Sequence, residues 1–161
     1  MNKSCRTITR SADETRALGA KLGTAIRHTP ESVVIALRGD LGAGKTTLVS
    51  GMLRALGVDG VVRSPTYTLI EPYEASGRLI FHLDLYRLAS ADELEMLAPR
   101  DLLEPGVVIL VEWPERAGRA LPPVDLEITL TYPETVQGDD RTIDLRANSQ
   151  LGMRLAQGSE P

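Results

Sequence analysis

Cysteine is almost missing from this chain. Cys5 is the only one among 161 residues, so no internal disulfide and no cysteine-based metal cluster can form, which suits a reducing interior. Histidine is nearly as scarce: His28 and His82 are the only two, which excludes a histidine-rich metal site. No apolar run approaches the roughly 20 residues that span a bilayer, and Met1 to Arg10 lacks the apolar core of a secretory signal. A soluble, cytoplasmic protein is therefore expected. Positive charge does not dominate, since 18 basic residues face 22 acidic ones for a net charge of −4. That balance disfavours a protein that holds nucleic acid mainly by neutralising its phosphates. There is no internal repeat, low-complexity tract or linker, and the length fits one domain.

Lysine is rare too, with Lys3, Lys21 and Lys45 alone, so the placement of Lys45 is not a by-product of composition. It stands in Gly39-Asp40-Leu41-Gly42-Ala43-Gly44-Lys45-Thr46, a complete GxxxxGK[ST] phosphate-binding loop directly after the apolar run Val33 to Leu37. The glycines let the backbone curl so that N–H groups point at phosphate oxygens, and a following helix adds its positive N-terminal end. Lys45 is placed to reach the β- and γ-phosphates and Thr46 to offer its hydroxyl to Mg²⁺. Apolar residues at helical spacing from Thr47 to Leu56 supply the helix.

Arg6 to Thr9 reads as a short edge strand. Ser11 and Glu14 form a capping box that opens a helix whose buried stripe is Leu18, Leu22 and Ile26, ended by Pro30. Tyr67 to Tyr73 and Leu79 to Asp84, flanking Glu74 to Arg78, predict a β-hairpin and hence a mixed sheet. A second capping box, Ser90 and Glu93, opens a helix through Leu94 and Leu97 that Pro99 ends or kinks. Val107 to Val111 reads as a strand buried on both faces. Asp125 to Tyr132 and Arg141 to Arg146 predict a last antiparallel pair around Gly138, Asp139 and Asp140. The fold class is α/β: a single P-loop NTPase domain, residues 1–147, with a mixed central sheet, antiparallel hairpins and flanking helices. The tail, 148–161, is expected to form a short helix at Leu151 to Ala156 and to be disordered from Gln157 on.

A phosphate loop needs an acidic residue at the end of a neighbouring strand to hold Mg²⁺ directly or through water. Glu112, after Val107 to Val111, and Asp84, at the end of the hairpin, are the candidates, and His82 shares Asp84's face. Each has a bland alternative: a strand-terminal turn residue for Asp84, a surface carboxylate for Glu112, a satisfied structural imidazole for His82. Ser64-Pro65-Thr66-Tyr67 lies where related NTPases carry a γ-phosphate sensor, with Thr66 in reach of Mg²⁺ or the γ-phosphate, or it is an ordinary turn. Trp113, the only tryptophan, is an interface, stacking or core residue.

Gly-Asp-Leu-Gly-Ala-Gly-Lys-Thr-Thr at 39–47, Ser-Pro-Thr-Tyr-Thr-Leu at 64–69, His-Leu-Asp-Leu-Tyr-Arg at 82–87 and Glu-Trp-Pro-Glu at 112–115 together resemble the TsaE family, formerly YjeE, across roughly residues 6–146. That family is the small bacterial ATPase of tRNA threonylcarbamoyladenosine biosynthesis. The resemblance implies ATP and Mg²⁺ as cofactors and the TsaD and TsaB proteins as partners. TsaB–TsaD transfers the threonylcarbamoyl group to the adenosine next to the anticodon of ANN-reading tRNAs, and ATP hydrolysis resets the complex between turnovers. Carried over by position, Gly42, Ala43, Gly44, Lys45, Thr46 and Thr47 hold the phosphates, with Ala12 close to the nucleotide. Thr46 and Glu112 hold Mg²⁺, Asp84 is the essential acid, and Lys45, Asp84 and Glu112 are the catalytic set, with Trp113 beside them. Leu97-Ala98-Pro99-Arg100 departs from the glycine-containing turn of relatives.

No residue obviously positions an attacking water, so slow, partner-dependent turnover by a free monomer is expected, with tRNA met only through the complex. Three other readings stay open. A kinase would use Arg116 and Arg119 as lid arginines. A GTP switch is disfavoured because no lysine follows Lys45 to build a guanine-reading motif. Direct tRNA binding is disfavoured by the acidic balance.

Overall fold

The computed structural model describes residues 4–62, 64–65, 67–97, 99–135 and 138–159. Helix starts follow their caps. The Ser11 hydroxyl accepts from the Glu14 amide at 3.1 Å while the Glu14 carboxylate accepts from the Arg10 amide at 2.7 Å, and α1 (Ala12–Arg27) begins there. Ser90 and Glu93 repeat the device at α3 (Ala91–Met96), and Ser149 caps α4 (Gln150–Gly158) through the Gly152 amide at 3.0 Å. The helix after the glycine loop, α2 (Lys45–Ala55), differs: its N-cap is Gly44, left-handed at φ 104°, and no side chain caps it. That helix therefore presents its first turn to whatever lies before it.

Seven strands form one sheet, β1 (Ser4–Thr9), β2 (Val33–Arg38), β3 (Ile70–Ala75), β4 (Arg78–Asp84), β5 (Val108–Glu112), β6 (Leu126–Thr131) and β7 (Arg141–Ala147), in the order β1-β7-β6-β2-β5-β4-β3. β6, β2, β5 and β4 run parallel, while β3 on one side and β7 and β1 on the other are antiparallel additions. The mixed sheet expected from the hairpins is the sheet observed. Alternation then assigns the faces. Val33, Ile35 and Leu37, Val108 and Leu110, and Ile80 join the core beneath α1, α2 and α4, whereas Val34, Ile109, Val111 and Leu83 pack with Leu85, Leu88 and Leu94 on the other side. On the α2 face, Leu22, Ile26, Leu48, Met52 and Leu53 are fully enclosed, each contributing about 1.5–3 kcal/mol by leaving water.

α1 and α2 meet backbone to backbone. A Cβ on Gly19 would sit 2.1 Å from the Leu48 carbonyl oxygen, and one on Gly51 2.1 Å from that of Arg16. Only glycine permits the approach, and it locks the middle of α1 against the middle of α2.

Three expectations need correction. Tyr67 to Leu69 are not strand: the Leu69 amide bonds the Pro65 carbonyl at 2.9 Å and Leu69 is left-handed at φ 63°, so pairing begins at Ile70, opposite Leu83. At the other end, Glu74, Ala75 and Arg78 belong to the strands. The turn shrinks to Ser76-Gly77, both at positive φ (53° and 71°), the geometry whose twist matches a two-residue hairpin. Disorder from Gln157 does not hold for Gln157 and Gly158, which complete α4. Leu155 and Ala156 are buried, Gly152 abuts the Asp125 carbonyl, and Ser159 beyond the helix is 5% exposed. Of the departure expected at Leu97 to Arg100, Leu97 caps α3 and Pro99 and Arg100 begin a short 3-10 turn (Pro99–Leu102), while Ala98 lies outside the described residues. Among those described, no helix is long and apolar enough to cross a membrane.

Candidate functional site

The parallel strands end together. In register, Leu37 faces Glu112 and Glu112 faces Asp84, so the glycine loop leaving β2 and the two carboxylates closing β5 and β4 share the carboxyl edge of the sheet, where open α/β sheets take their ligands. A cavity of about 410 Å³ opens there, lined by the loop residues Gly42, Gly44, Lys45, Thr46 and Thr47 and by Ser64, Asp84, Glu112 and Trp113.

Within it the polar groups are paired. Thr46 Oγ1 donates to Glu112, 2.9 Å from Oε1 and 3.1 Å from Oε2, and His82 Nε2 lies 2.8 Å from Oε1. Asp84 accepts from the Ser64 hydroxyl and, through Oδ1, from the Tyr86 amide at 3.1 Å. Both carboxylates are buried, at 2% and 4% exposure, so the surface alternative for Glu112 falls away, while the Asp84 bond to the Tyr86 amide is also that of a strand-terminal turn residue. A hydroxyl facing a carboxylate beside a phosphate-shaped loop suits Mg²⁺, a hard cation that takes few protein oxygens and keeps waters and phosphate oxygens for the rest. No group of three or more His, Cys, Asp or Glu among the described residues makes a self-sufficient metal cage, which fits a cation arriving with its phosphates.

Lys45 folds back over the loop. Its Nζ donates to the carbonyls of Gly39 and of Asp40, the latter at 2.9 Å, and lies 4.1 Å from the centroid of the Trp113 ring. Burial pushes its pKa below the ordinary lysine value, against the pull of Glu112, Asp84, Glu115 and Asp40. Trp113 is held at φ 59°, an unusual conformation for a bulky residue, and its ring rests on Tyr86 with centroids 5.0 Å apart. It is a wall of the cavity.

Ala12 lines a second cavity of about 150 Å³ on the other flank of the loop, with Thr15, Gly42, Ala43, Gly44, Thr47, Asp139 and Arg141. Residues overlooked in the sequence stand there. Arg141 Nε donates to the Ala43 carbonyl at 3.2 Å, its guanidinium lies 4.2 Å from the Tyr132 ring centroid, and the Tyr132 hydroxyl donates to the Gly42 carbonyl at 3.1 Å. Together they brace the loop from β6 and β7. Nothing in the local pattern marks them, because their nearness to the loop comes from β6 lying beside β2.

Of the 64–67 segment, Ser64 reaches Asp84, while Tyr67 points outward, 85% exposed, with the Arg87 guanidinium 4.7 Å from its ring. Thr66 lies outside the described residues. The Arg116 guanidinium lies 5.9 Å from the Tyr86 ring, and neither it nor Arg119 is among the described residues lining either cavity, so the geometry gives the lid reading no support.

Residues 9–143 match the family model described as threonylcarbamoyl adenosine biosynthesis protein TsaE. The Haemophilus influenzae tRNA threonylcarbamoyladenosine biosynthesis protein TsaE is 44% identical over 128 residues, 80% of this chain and 78% of that protein. The Bacillus subtilis protein of the same name is 35% identical over 145 residues, 90% and 87% of the two chains. The crystal structure of Bacillus subtilis YdiB superposes with a TM-score of 0.75 at 31% identity, covering 99% of this chain and 95% of that one. The four motifs, the sheet that gathers them and these likenesses agree: the chain belongs to the TsaE family.

Proposed function

We propose that this chain is a magnesium-dependent ATPase of low intrinsic rate that acts in tRNA threonylcarbamoyladenosine biosynthesis by joining the TsaB–TsaD complex and resetting it between turnovers. The observation that carries the ATP reading is the Thr46–Glu112 pair, set beside Lys45 at the uncapped start of α2. The names of the related proteins support the pathway.

In this reading the amides of Gly42 to Thr47 cradle the phosphates, and Ala12 and Arg141 flank the nucleoside side. Lys45 leaves the loop carbonyls for the β- and γ-phosphates, where its charge offsets the charge that develops in phosphoryl transfer. Thr46 and Glu112 would hold Mg²⁺, whose charge would offset that of the phosphates. Asp84, braced by Ser64 and the Tyr86 amide, is the remaining acid at the mouth. Ser64 links it to the 64–67 segment, so the γ-phosphate end and an exposed loop are mechanically joined. Among the described residues lining the cavity, none is a clear candidate to orient the attacking water, which supports completion of the site by a partner. tRNA is met through the complex, in keeping with a net charge of −4.

The test is association of the purified chain with its host's TsaB–TsaD pair, with and without ATP and Mg²⁺, for wild type, Lys45→Ala and Glu112→Ala. Nucleotide-dependent binding weakened by both substitutions, with transfer passing one turnover only when wild type is present, is the expected result. Tight ATP binding without such association would detach the site from tRNA modification.

A further inference from the structure

The buried imidazole of His82 has no part in the scheme above. It is fully enclosed on the α2 face of β4, between Ile80 and Asp84 in the alternation. Its Nε2 lies 2.8 Å from Glu112 Oε1, and its Nδ1 is buried with no hydrogen-bond partner among the described residues. A carboxylate only accepts, so Nε2 carries the hydrogen of this bond. For packing alone this is a poor choice: an apolar side chain of similar size would fill the space without an unpartnered polar atom.

The two oxygens of Glu112 are not equivalent. Oε1 takes donors from both His82 and Thr46, at 2.8 and 2.9 Å, whereas among the described residues Oε2 has the longer contact from Thr46 at 3.1 Å and no other hydrogen bond. Thr46 is a shared group in this reading: its oxygen has lone pairs to offer a cation while its hydrogen serves Glu112. His82 is the other donor on Oε1, at 2.8 Å, and has no part in coordinating the cation, so it can hold Glu112 independently of Thr46.

We propose that His82 is a positioning residue for the magnesium site: its Nε2–H pins Oε1 of Glu112 so that Oε2 is presented to the cation carried by the nucleotide. This rests on the reading of Thr46 and Glu112 as magnesium ligands. The carboxylate is oriented before the metal arrives, and the entropic cost of fixing it is met in folding. Hydrogen-bonded partners of metal ligands typically contribute about 10- to 100-fold in metal affinity, which sets the scale.

The experiment has two arms. In the metal-free protein, long-range ¹H–¹⁵N correlation of the histidine rings should show a hydrogen on Nε2 of His82; a bare Nε2 overturns the proposal without any variant. In the second arm, ADP affinity is measured by calorimetry with Mg²⁺ and with EDTA for wild type, His82→Phe, His82→Gln and His82→Asn. Phe keeps the bulk and removes the donor. Gln places an amide near the Nε2 position and Asn places one near Nδ1. The gain in affinity conferred by Mg²⁺ should fall about 10- to 100-fold in His82→Phe and His82→Asn and return in His82→Gln, with affinity in EDTA unchanged throughout. If His82→Phe does not fold, the contrast between Gln and Asn decides the same point. A full magnesium gain in the variants that lack the donor, or equal losses with and without Mg²⁺, overturns the positioning role alone. Absence of any magnesium gain in wild type overturns the metal reading of Thr46 and Glu112, and the positioning role with it.

Discussion

Lys45 Nζ stands 4.1 Å from the centroid of the Trp113 ring, joining the only lysine of the glycine loop to the only tryptophan of the chain, 68 positions later. The ammonium is held there by two loop carbonyls and the ring face, a cation–π contact of about 0.5–2 kcal/mol. Lys45 occupies the loop's own carbonyls, so on the proposed ATP reading its move to the phosphates would take it from the ring.

Trp113 is therefore a reporter built into the site. Its emission should change when ATP or ADP binds, and in Lys45→Met the free protein should already differ from wild type and respond little to nucleotide. Titration of intrinsic fluorescence checks this. Wild-type emission that stays constant while calorimetry shows saturation would disprove the coupling.

The depressed pKa of Lys45, caused first by burial, carries a pH dependence of stability. Below its folded pKa the lysine is charged in both states and the fold bears the full desolvation cost. As pH rises from that depressed value toward the ordinary lysine value of about 10.4, the folded protein sheds the proton first and the cost is relieved. Wild type should thus gain stability relative to Lys45→Met between neutral and alkaline pH. Urea unfolding of both proteins at the two pH values reads the difference, and a gap that is constant or moves the other way rejects the assignment.

Glu112→Gln keeps the size of the side chain and removes its charge. The magnesium-dependent part of nucleotide affinity should drop by more than the roughly 10- to 100-fold expected of a residue that only supports a ligand, with affinity in EDTA preserved. Calorimetry with ADP is the measurement. Retention of the magnesium gain would mean that the cation is held elsewhere.

Gly19→Ala and Gly51→Ala each force α1 and α2 apart, because the atoms met at 2.1 Å are backbone carbonyl oxygens. Each should cost at least about 1–3 kcal/mol in urea unfolding. Since one separation of the helices relieves both clashes, the double variant should lose less than the sum of the two. Additive losses, or none, would contradict the packing.

Local pattern carried a large share of the architecture. The capping boxes at Ser11 and Ser90 locate helix starts because their bonds span only a few residues, and the alternation in β4 already puts His82 and Asp84 on one face. Loop 39–46 is legible for the same reason: its glycines, lysine and threonine are consecutive, and their chemistry is set by spacing along one turn. Chain punctuation was less well read. Tyr67 to Leu69 look like strand, and only the bond from Leu69 to Pro65 turns them into a corner.

By itself, then, the sequence determined most helix and strand segments, which faces are apolar and where the glycine loop lies, all consequences of short-range sterics and periodicity. Tertiary structure alone decided that His82 touches Glu112, that Lys45 rests on Trp113, that Tyr132 and Arg141 brace the loop, and that α4 is ordered to its last turn. Each of these depends on the strand order β6-β2-β5-β4 and on packing between segments tens of residues apart. Such pairings depend on burying both faces of the sheet together, and no local window contains that information.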